Sequence, residues 1–207
     1  CLTLKAKMQI TITNKLSKAA DMDHHWVSKT WLSDVGLPQY SQVFHNQLVD
    51  GRVLNSITRR DLETIFNVTN KFHVTSILSA IQLLQMLNFD KEARRAQCEN
   101  RDLDPVVWTS HRVIKWIRDI DLKEYADSLQ NSGIHGAVMV LDPTFSADTM
   151  AKALDIPSNK HMIHRHLYEE MKVLLNPARC VKLHFSRVIS ILYNLRGTSK
   201  CSILIGQ

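Results

Sequence analysis

The sequence predicts an all-α fold in which two five-helix bundles stand in tandem between irregular flanks. Apolar residues recur mostly three and four positions apart, which is the spacing of one buried helix face. Glycines and prolines stand where such helices would end or begin. The third observation is an internal repeat, in which a pattern starting at Trp31 returns at Trp116, 85 positions later.

The repeat is long enough to be two copies of one small domain and not the short period of a solenoid. The offset of 85 holds without a gap as far as the aligned pair Gly51 and Gly136. It widens to 88 at the aligned pair Leu62 and Met150. We therefore predict an N-terminal flank (1–20), a first domain (21–90), a connector (91–106), a second domain (107–176) and a C-terminal tail (177–207). The aligned patterns are Trp31-Leu32-x-x-Val35-Gly36-Leu37-x-x-Tyr40 and Trp116-Ile117-x-x-Ile120-Asp121-Leu122-x-x-Tyr125.

In the first domain, residues 26–35 predict a helix that Gly36 ends, because glycine suits the left-handed position after a helix. Pro38 opens a second helix at its first turn, where its missing N–H is not needed. This helix is predicted to run to about Leu48, with Phe44 and Leu48 on its apolar face.

Three shorter signals complete the first domain. Gly51 marks a turn before a short helical piece, and Thr58 is predicted to cap the next helix with Asp61 in its first turn. Asn70 is predicted to cap a longer final helix. The buried stripe of that helix would consist of Ile77, Ala80, Ile81, Leu84 and Leu87.

The second domain repeats this order. Thr109 or Ser110 is predicted to cap a helix around Trp116, and a second helix covers 125–129. Gly133 and Gly136 mark turns. Asp142-Pro143 is predicted to interrupt the helical pattern, because proline disfavours a helix before it. Further helices are predicted to start at Ser146 and at Pro157-Ser158, and Pro177 is predicted to end the last one. The connector is charged and lacks glycine, so we expect it to continue the first long helix and to join the domains into one rigid body.

Charge is divided unevenly along the chain. The net charge of +6 comes from residues 1–20 and 178–207, which together carry nine basic residues and no acid, so residues 21–177 carry −3. A nucleic-acid-binding domain usually has its positive charge on the folded surface. The sequence therefore disfavours nucleic acid as a partner, and no stretch approaches the roughly 20 apolar residues of a membrane-spanning helix. The cysteines Cys1, Cys98, Cys180 and Cys201 show no paired spacing and are interpreted as free thiols.

No pattern of catalytic residues is present. The sequence contains no phosphate-binding glycine-rich loop, no Cys-x-x-Cys pair and no nucleophile elbow. Asp50 and His135 occupy the same position of the repeat, although a catalytic group should not vary freely between copies. We predict that the chain is not an enzyme and needs no cofactor.

Histidines raise the question of a metal site. His161 and His164 are three positions apart and could share a helix face, with His166 nearby, but no cysteine or carboxylate completes a ligand set. The pair His24-His25 has the same weakness. We therefore predict no metal site and interpret these imidazoles as solvent-facing.

The quoted repeat, with its Trp-Leu-x-x-Val-Gly-Leu-x-x-Tyr start and long last helix, resembles the sterile alpha motif (SAM) domain. The tandem arrangement resembles the consecutive SAM domains of the liprin and kazrin family, and the matching segments include 23–26, 36–40, 48–54, 107–108, 122–125 and 132–137. Residues 119–125 and 157–161 are more similar to the kazrin branch. The resemblance implies the last two of three SAM domains, with the first SAM domain and a coiled coil outside this sequence, and it assigns no partner to the two flanks.

SAM domains as a family bind head to tail, through a mid-loop surface that is often acidic and an end-helix surface that is often basic. The resemblance therefore makes charged residues at these two places candidates for partner binding, although surface charge often serves only solvation. The acidic candidates are Asp50, Asp61 and Glu63 in the first domain and Asp142, Asp148 and Asp155 in the second. The basic candidates are Lys71 and His73 in the first domain and Lys160, His161, His164 and Arg165 in the second.

The resemblance implies a scaffold or adaptor that binds other SAM domains or junctional and cytoskeletal proteins. The resemblance also implies roles in cell-junction, cytoskeletal or trafficking assemblies. The expected location is the cytoplasm, at cell junctions or on the cytoskeleton, with a nuclear location left open. Homo-oligomers are also compatible with this interpretation. Two alternatives remain: an RNA-binding SAM module, and contact with a membrane surface through the basic, apolar tail.

Overall fold

The computed structural model describes residues 17–92 and 104–197, with side chains described as far as Cys180. Helices fill both described ranges, and no strand lies within them. In the first domain, α1 is a π-helical segment, Trp26–Trp31, continued by the α-helical turn Leu32–Val35. The remaining helices of this domain are α2 (a 3-10 turn Pro38–Tyr40 followed by Ser41–Asn46), α3 (Gly51–Leu54), α4 (Arg59–Thr64) and α5 (Lys71–Met86).

The second domain repeats the arrangement with small changes. A 3-10 turn, Pro105–Val107, precedes it. Its helices are α6 (Ser110–Asp119), α7 (a 3-10 helix, Ala126–Leu129), α8 (Gly136–Leu141), α9 (Ala147–Ala153) and α10 (His161–Gly197). The all-α prediction is confirmed. Within the described residues, no helix is long and apolar enough to cross a membrane.

Side-chain caps start four of these helices where the sequence predicted them. Thr58 and Asp61 form a reciprocal capping box at α4, so each satisfies a backbone N–H that the helix leaves without a partner. The Asn70 side chain accepts a hydrogen bond from the N–H of Phe72 (2.9 Å) at the start of α5. Thr109 and Ser146 cap α6 and α9 in the same way. These residues fix the starts of the helices from purely local chemistry.

Each domain has its own apolar core. Trp31, Phe44 and Leu84 are fully buried in the first, and Trp116, Leu129 and Met150 are buried in the second. The predicted stripe of α5 divides between them: Ile77, Ala80, Ile81 and Leu84 pack in the first core, whereas Leu87 packs partly against the second. The long helix α5 therefore contributes to both cores.

In each domain, a backbone segment crosses directly over a glycine at the matched repeat position. The N–H of Gly51 donates to the carbonyl of Met22, and the N–H of Gly136 donates to the carbonyl of Trp108, both at 2.8 Å. We call these crossing segments straps: residues 19–22 in the first domain and residues 105–108 in the second. Because Ala19 is buried in the first core, the packing of that domain extends beyond the predicted boundary at residue 21.

The two domains meet in a junction built mainly by α5 and α8. Backbone groups pair directly across it, since the N–H of Gly133 donates to the carbonyl of Gly36 at 3.1 Å. The hydroxyl of Ser76 donates to the Gly133 carbonyl (2.6 Å), and the ring of His135 bonds the Ser76 carbonyl (3.1 Å). Phe72 faces Phe145 across the junction, with ring centroids 6.1 Å apart. Polar and apolar contacts together fix the relative orientation of the domains.

We expect X-ray scattering of the protein to fit this one packed arrangement of the two domains. Separation would exchange the junction hydrogen bonds for bonds to water, at a net cost of about 1 kcal/mol each, and would expose the apolar contact of Phe72 with Phe145 to solvent; both effects oppose opening. Scattering profiles should therefore be reproduced by the compact pair at all protein concentrations at which it is monomeric. A profile that requires two independently tumbling domains would contradict this expectation.

Several predicted details were wrong at the ends of helices. The second helix stops at Asn46, and Leu48 adopts φ 52° with 63% of its surface exposed instead of lying on a buried face. The connector does not continue α5, because that helix ends at Met86 and both Asn88 and Phe89 have positive φ. This turn places Phe89 in the first core. Burial of one large aromatic side chain therefore outweighs the helix-compatible composition that follows; connector residues 93–103 lie outside the described part.

Two predictions for the last helix also need correction. It begins at His161, a few residues after Pro157-Ser158, and it continues through Pro177 to Gly197. Proline removes one helical hydrogen bond, but the residues after it are anchored to the second domain. Ala178 is buried in the core, and Nη2 of Arg179 donates to the carbonyls of Met139 (2.5 Å) and Phe145 (2.9 Å). The first residues of the predicted tail are thus part of the packed domain.

Candidate protein-interaction surfaces

The predicted acidic surface of the first domain lies on α3, α4 and the turns before them. Asp50 caps α3, accepting hydrogen bonds from the N–H groups of Arg52 and Val53 at 2.9 Å each. Its other oxygen pairs with the Arg52 guanidinium at 2.6 Å. Burial alone would raise the pKa of Asp50, but the bonds from Val53 and Arg52 outweigh it and leave that pKa below its usual value. Asp50 therefore stays ionised, with much of its charge balanced locally.

Asp61 and Glu63 differ in how free their charges are. The Asp61 carboxylate accepts hydrogen bonds from the hydroxyl (2.7 Å) and the N–H (2.9 Å) of Thr58, and these bonds lower its pKa. Glu63 is exposed and lies 3.9 Å from Arg59, a distance at which a solvated ion pair contributes little. Asp61 thus has a structural task as well as its charge, whereas Glu63 is available to a partner.

Large apolar residues are exposed in the same stretch of the first domain. Leu48, Val53 and Ile65 each expose 40% or more of their surface, although they are flanked by the acidic residues described above. Apolar contact area bordered by charge is the usual composition of a protein-binding patch. We call this region, residues 48–65, the acidic surface after its candidate carboxylates; Arg52, Arg59 and Arg60 lie in the same segment and bring its net charge to zero.

The predicted basic residues of the second domain stand at the start of α10. Lys160, His161 and Arg165 are exposed, and His164 bonds the Pro157 carbonyl at 3.2 Å. Neither Lys160 nor Arg165 has a carboxylate within ion-pair distance in the part of the chain that the structure describes. Met162, between them, exposes 74% of its surface. We call residues 160–165 the basic surface; its cations are less compensated than the charges of the acidic surface.

The other two groups of predicted residues flank the junction. Lys71 is exposed, and His73 is half-buried with its Nδ1 2.9 Å from the Tyr40 hydroxyl. Burial lowers the pKa of His73 and raises that of Tyr40. Phe72, between Lys71 and His73, packs against the core of the second domain. The second domain therefore covers part of the end-helix region of the first domain, at Phe72, while Lys71 stays exposed.

One of the acidic candidates of the second domain, Asp142, also lies beside the junction. The Asp142 carboxylate accepts from the N–H (2.9 Å) and hydroxyl (2.7 Å) of Thr144, which shapes the turn leading to Phe145 at the junction. Asp142 also lies close enough to Arg179 to raise its pKa, although burial, the larger effect, lowers it overall. Asp148 and Asp155 are exposed.

The sequence analysis predicted that the two domains form one rigid body, but it missed the residues that form the junction. Ser76 and His135 are buried polar residues there, and Ser76 interrupts the apolar stripe of α5. A buried helix face with a serine in it indicates a polar partner. That signal could have identified α5 as an interface helix, but not the surface it meets.

Comparison with known proteins agrees with this architecture. The family model described as "SAM domain (Sterile alpha motif)" matches residues 21–85, and a second SAM-domain model matches residues 105–165. The chain is therefore a tandem SAM-domain protein, of the kind found in kazrin and the liprins.

The resemblance to individual proteins is strong over most of the chain. This chain is 64% identical to kazrin of Rattus norvegicus, in an alignment that covers 79% of this chain and 21% of that protein. Liprin-beta-1 of Mus musculus is 39% identical over 83% of this chain and 18% of its own length, and liprin-alpha-4 of Rattus norvegicus is 37% identical over 75% and 15%. The chain thus spans about a fifth of the length of the curated relatives it matches. SAM domains of this family are protein-interaction modules of scaffold type.

Proposed function

We propose that this chain is a non-enzymatic scaffold module that binds other SAM domains, or junctional and cytoskeletal proteins, in the cytoplasm at cell junctions and related trafficking assemblies. The observation that supports the proposal is that the junction between the domains covers parts of one end-helix surface and one mid-loop surface. It covers the end-helix region of the first domain around Phe72 and part of the middle of the second domain around His135 and Phe145. The described junction contacts of Ser76, His135 and Phe72 involve neither the acidic surface nor the basic surface.

The pair of domains therefore presents two separate candidate surfaces: residues 48–65, where three carboxylates stand beside three arginines, and residues 160–165, which carry a net positive charge. A complementary partner surface would be steered and oriented by these charges. Lys160 and Arg165 also stand at the start of α10, where the helix dipole disfavours cations. An acidic partner would offset that local cost. A second copy of this chain offers the exposed Glu63 carboxylate of its acidic surface for such a contact.

Reversing charge at the basic surface should weaken association and leave the fold intact. We expect the double variant Lys160→Glu, Arg165→Glu to change the free energy of unfolding by no more than about half a kcal/mol for each substitution, because both side chains are exposed. The association constant for self-assembly or for a SAM partner should fall at least tenfold, since like charges would face each other. Light scattering over a range of protein concentrations measures self-association, and thermal unfolding checks the fold.

The matched control is Lys115→Glu with Lys123→Glu, which changes net charge equally at exposed positions outside the basic surface. That control should associate like the native protein. Added salt should weaken native association, because exposed charges are screened over a Debye length of about 10 Å at 0.1 M. Equal association by the native protein and the folded Lys160/Arg165 variant would refute the assignment of the basic surface.

A further inference from the structure

The fold gathers three histidines into a cluster that does not belong to either proposed binding surface. The side chains of His24, His25 and His45 each offer a ring nitrogen, and these nitrogens lie within 4.8 Å of one another. The ring centroids of His24 and His25 are 4.1 Å apart, and that of His45 is 5.2 Å and 5.0 Å from them. His24 and His45 are half-buried and His25 is exposed, so the cluster lies at the surface and is open to solvent.

Two packed helices hold the cluster in place. His24 and His25 directly precede α1, whose first turn is fixed by the Asp23 carboxylate accepting from the N–H of Trp26 at 2.7 Å. The hydroxyl of Ser28 donates to the His24 carbonyl at 2.7 Å. His45 lies in the last turn of α2, which is fixed to α1 by a hydrogen bond from the Ser41 hydroxyl to the Ser28 carbonyl. The backbone positions of the three histidines are therefore set by contacts that do not involve the rings.

The rings of the cluster differ from other histidines of the chain in their hydrogen bonding. His73, His135, His164 and His166 each use a ring nitrogen in a hydrogen bond to a protein group. Within the described residues, none of the three cluster rings has such a bond. Their nitrogens are thus available as ligands, whereas the histidines near the start of α10 are partly engaged by carbonyl groups.

We propose that His24, His25 and His45 bind a divalent transition-metal ion, with zinc as the expected ion and water completing the coordination. Three imidazole nitrogens with an open fourth position form a known type of zinc site. Zn–N bonds of about 2.0–2.1 Å place the nitrogens of a tetrahedral site roughly 3.3 Å apart. The nitrogens lie within 4.8 Å of one another in the structure, so binding requires the three rings to turn towards the ion. Imidazole ligands without carboxylates favour zinc, nickel or copper over magnesium or calcium.

A bound ion would connect the start of α1 to the end of α2. Since the unfolded chain does not hold these histidines together, binding should stabilise the first domain by mass action. Only the His24-His25 pair was recognisable from the sequence, because His45 stands twenty positions further along the chain. The third ligand becomes apparent only when α1 and α2 pack.

The test is metal titration of the full chain. We expect one equivalent of Co²⁺ to bind with a visible absorption band of four-coordinate geometry, and Zn²⁺ to displace it. Excess Zn²⁺ should raise the midpoint of thermal unfolding by several degrees. His25→Gln and His45→Gln should each weaken binding at least tenfold and remove the thermal shift. Because His25 is exposed, His25→Gln should keep the native circular dichroism spectrum, so loss of binding cannot be attributed to unfolding.

The matched control is His111→Gln, which removes an exposed histidine on α6 in the other domain. This control should bind Co²⁺ and Zn²⁺ like the native chain. The proposal fails if the native chain takes up no ion at one equivalent. It also fails if His25→Gln and His45→Gln bind as tightly as the native chain, or if His111→Gln weakens binding as much as they do.

Discussion

Replacing Gly136 with alanine is expected to destabilise the second domain more than any other single methyl addition in the described chain. A Cβ atom built on Gly136 would lie 1.7 Å from the carbonyl oxygen of Pro105 and 2.8 Å from the backbone nitrogen of Trp108. Both neighbours are backbone atoms of the strap, so no side-chain rotation can relieve the clash. The strap would have to move away and break its hydrogen bond to Gly136. We expect a loss of about 4 kcal/mol or more in the free energy of unfolding, at the upper end of single substitutions.

Denaturant unfolding followed by tryptophan fluorescence measures this loss, because Trp108 is part of the strap itself. Gly51→Ala, at the matched position of the first domain, brings its Cβ to 2.3 Å from the carbonyl oxygen of Ala19 and should cost less. Ser158→Ala, at an exposed position, is the neutral control. A Gly136→Ala protein as stable as the Ser158→Ala protein would show that the strap does not cross the glycine as described.

Loss of the Trp116 side chain should be the second-largest effect. The indole is 92% buried, given its 8% exposure, and its ring centroid lies 6.4 Å from that of Trp108 in a tilted arrangement. Trp116→Ala removes this contact and leaves a cavity in the core, which costs roughly 3–5 kcal/mol. A domain of this size has little stability beyond that amount.

Thermal and denaturant unfolding of Trp116→Ala provide the measurement. Trp116→Phe keeps an aromatic ring in the same place and should retain a large part of the stability. If Trp116→Ala unfolds at the same midpoint as the native protein, the second repeat does not use its signature tryptophan as a core residue. Unfolding of the first domain should be followed as well, because its helix α5 contributes Leu83 to the second core.

Local chemistry explains which parts of the fold were predictable from the sequence. The caps Thr58 and Asn70 act on backbone groups two or three residues away, so their roles follow from neighbouring residues alone. Trp31 and Trp116 stand at matched positions of the predicted repeat, and both are buried in the cores. Gly36 was expected to end α1 and does so with φ 79°.

Features that depend on tertiary packing were not predictable in the same way. The end of α5 is decided by burial of Phe89, and the continuation of α10 through Pro177 by the anchoring of Arg179. Phe89 packs in a core built from residues throughout the first domain, and Arg179 bonds the carbonyls of Met139 and Phe145, more than thirty positions earlier. The candidate interaction residues stay predictions, but the structure distinguishes those beside the junction, such as Lys71, from those remote from it, such as Arg165.

The rigid junction has a geometric consequence for assembly. Domains joined by a loose tether could associate at many angles, but here the Gly36–Gly133 backbone pairing and the α5–α8 contact hold the two domains in one orientation. A rigid subunit with unlike, complementary ends repeats the same rotation at every head-to-tail contact. Such heterologous contacts close into a ring when that rotation divides a full turn, and otherwise propagate as a helical filament. The junction between the two domains would thereby set the symmetry of any polymer this chain forms.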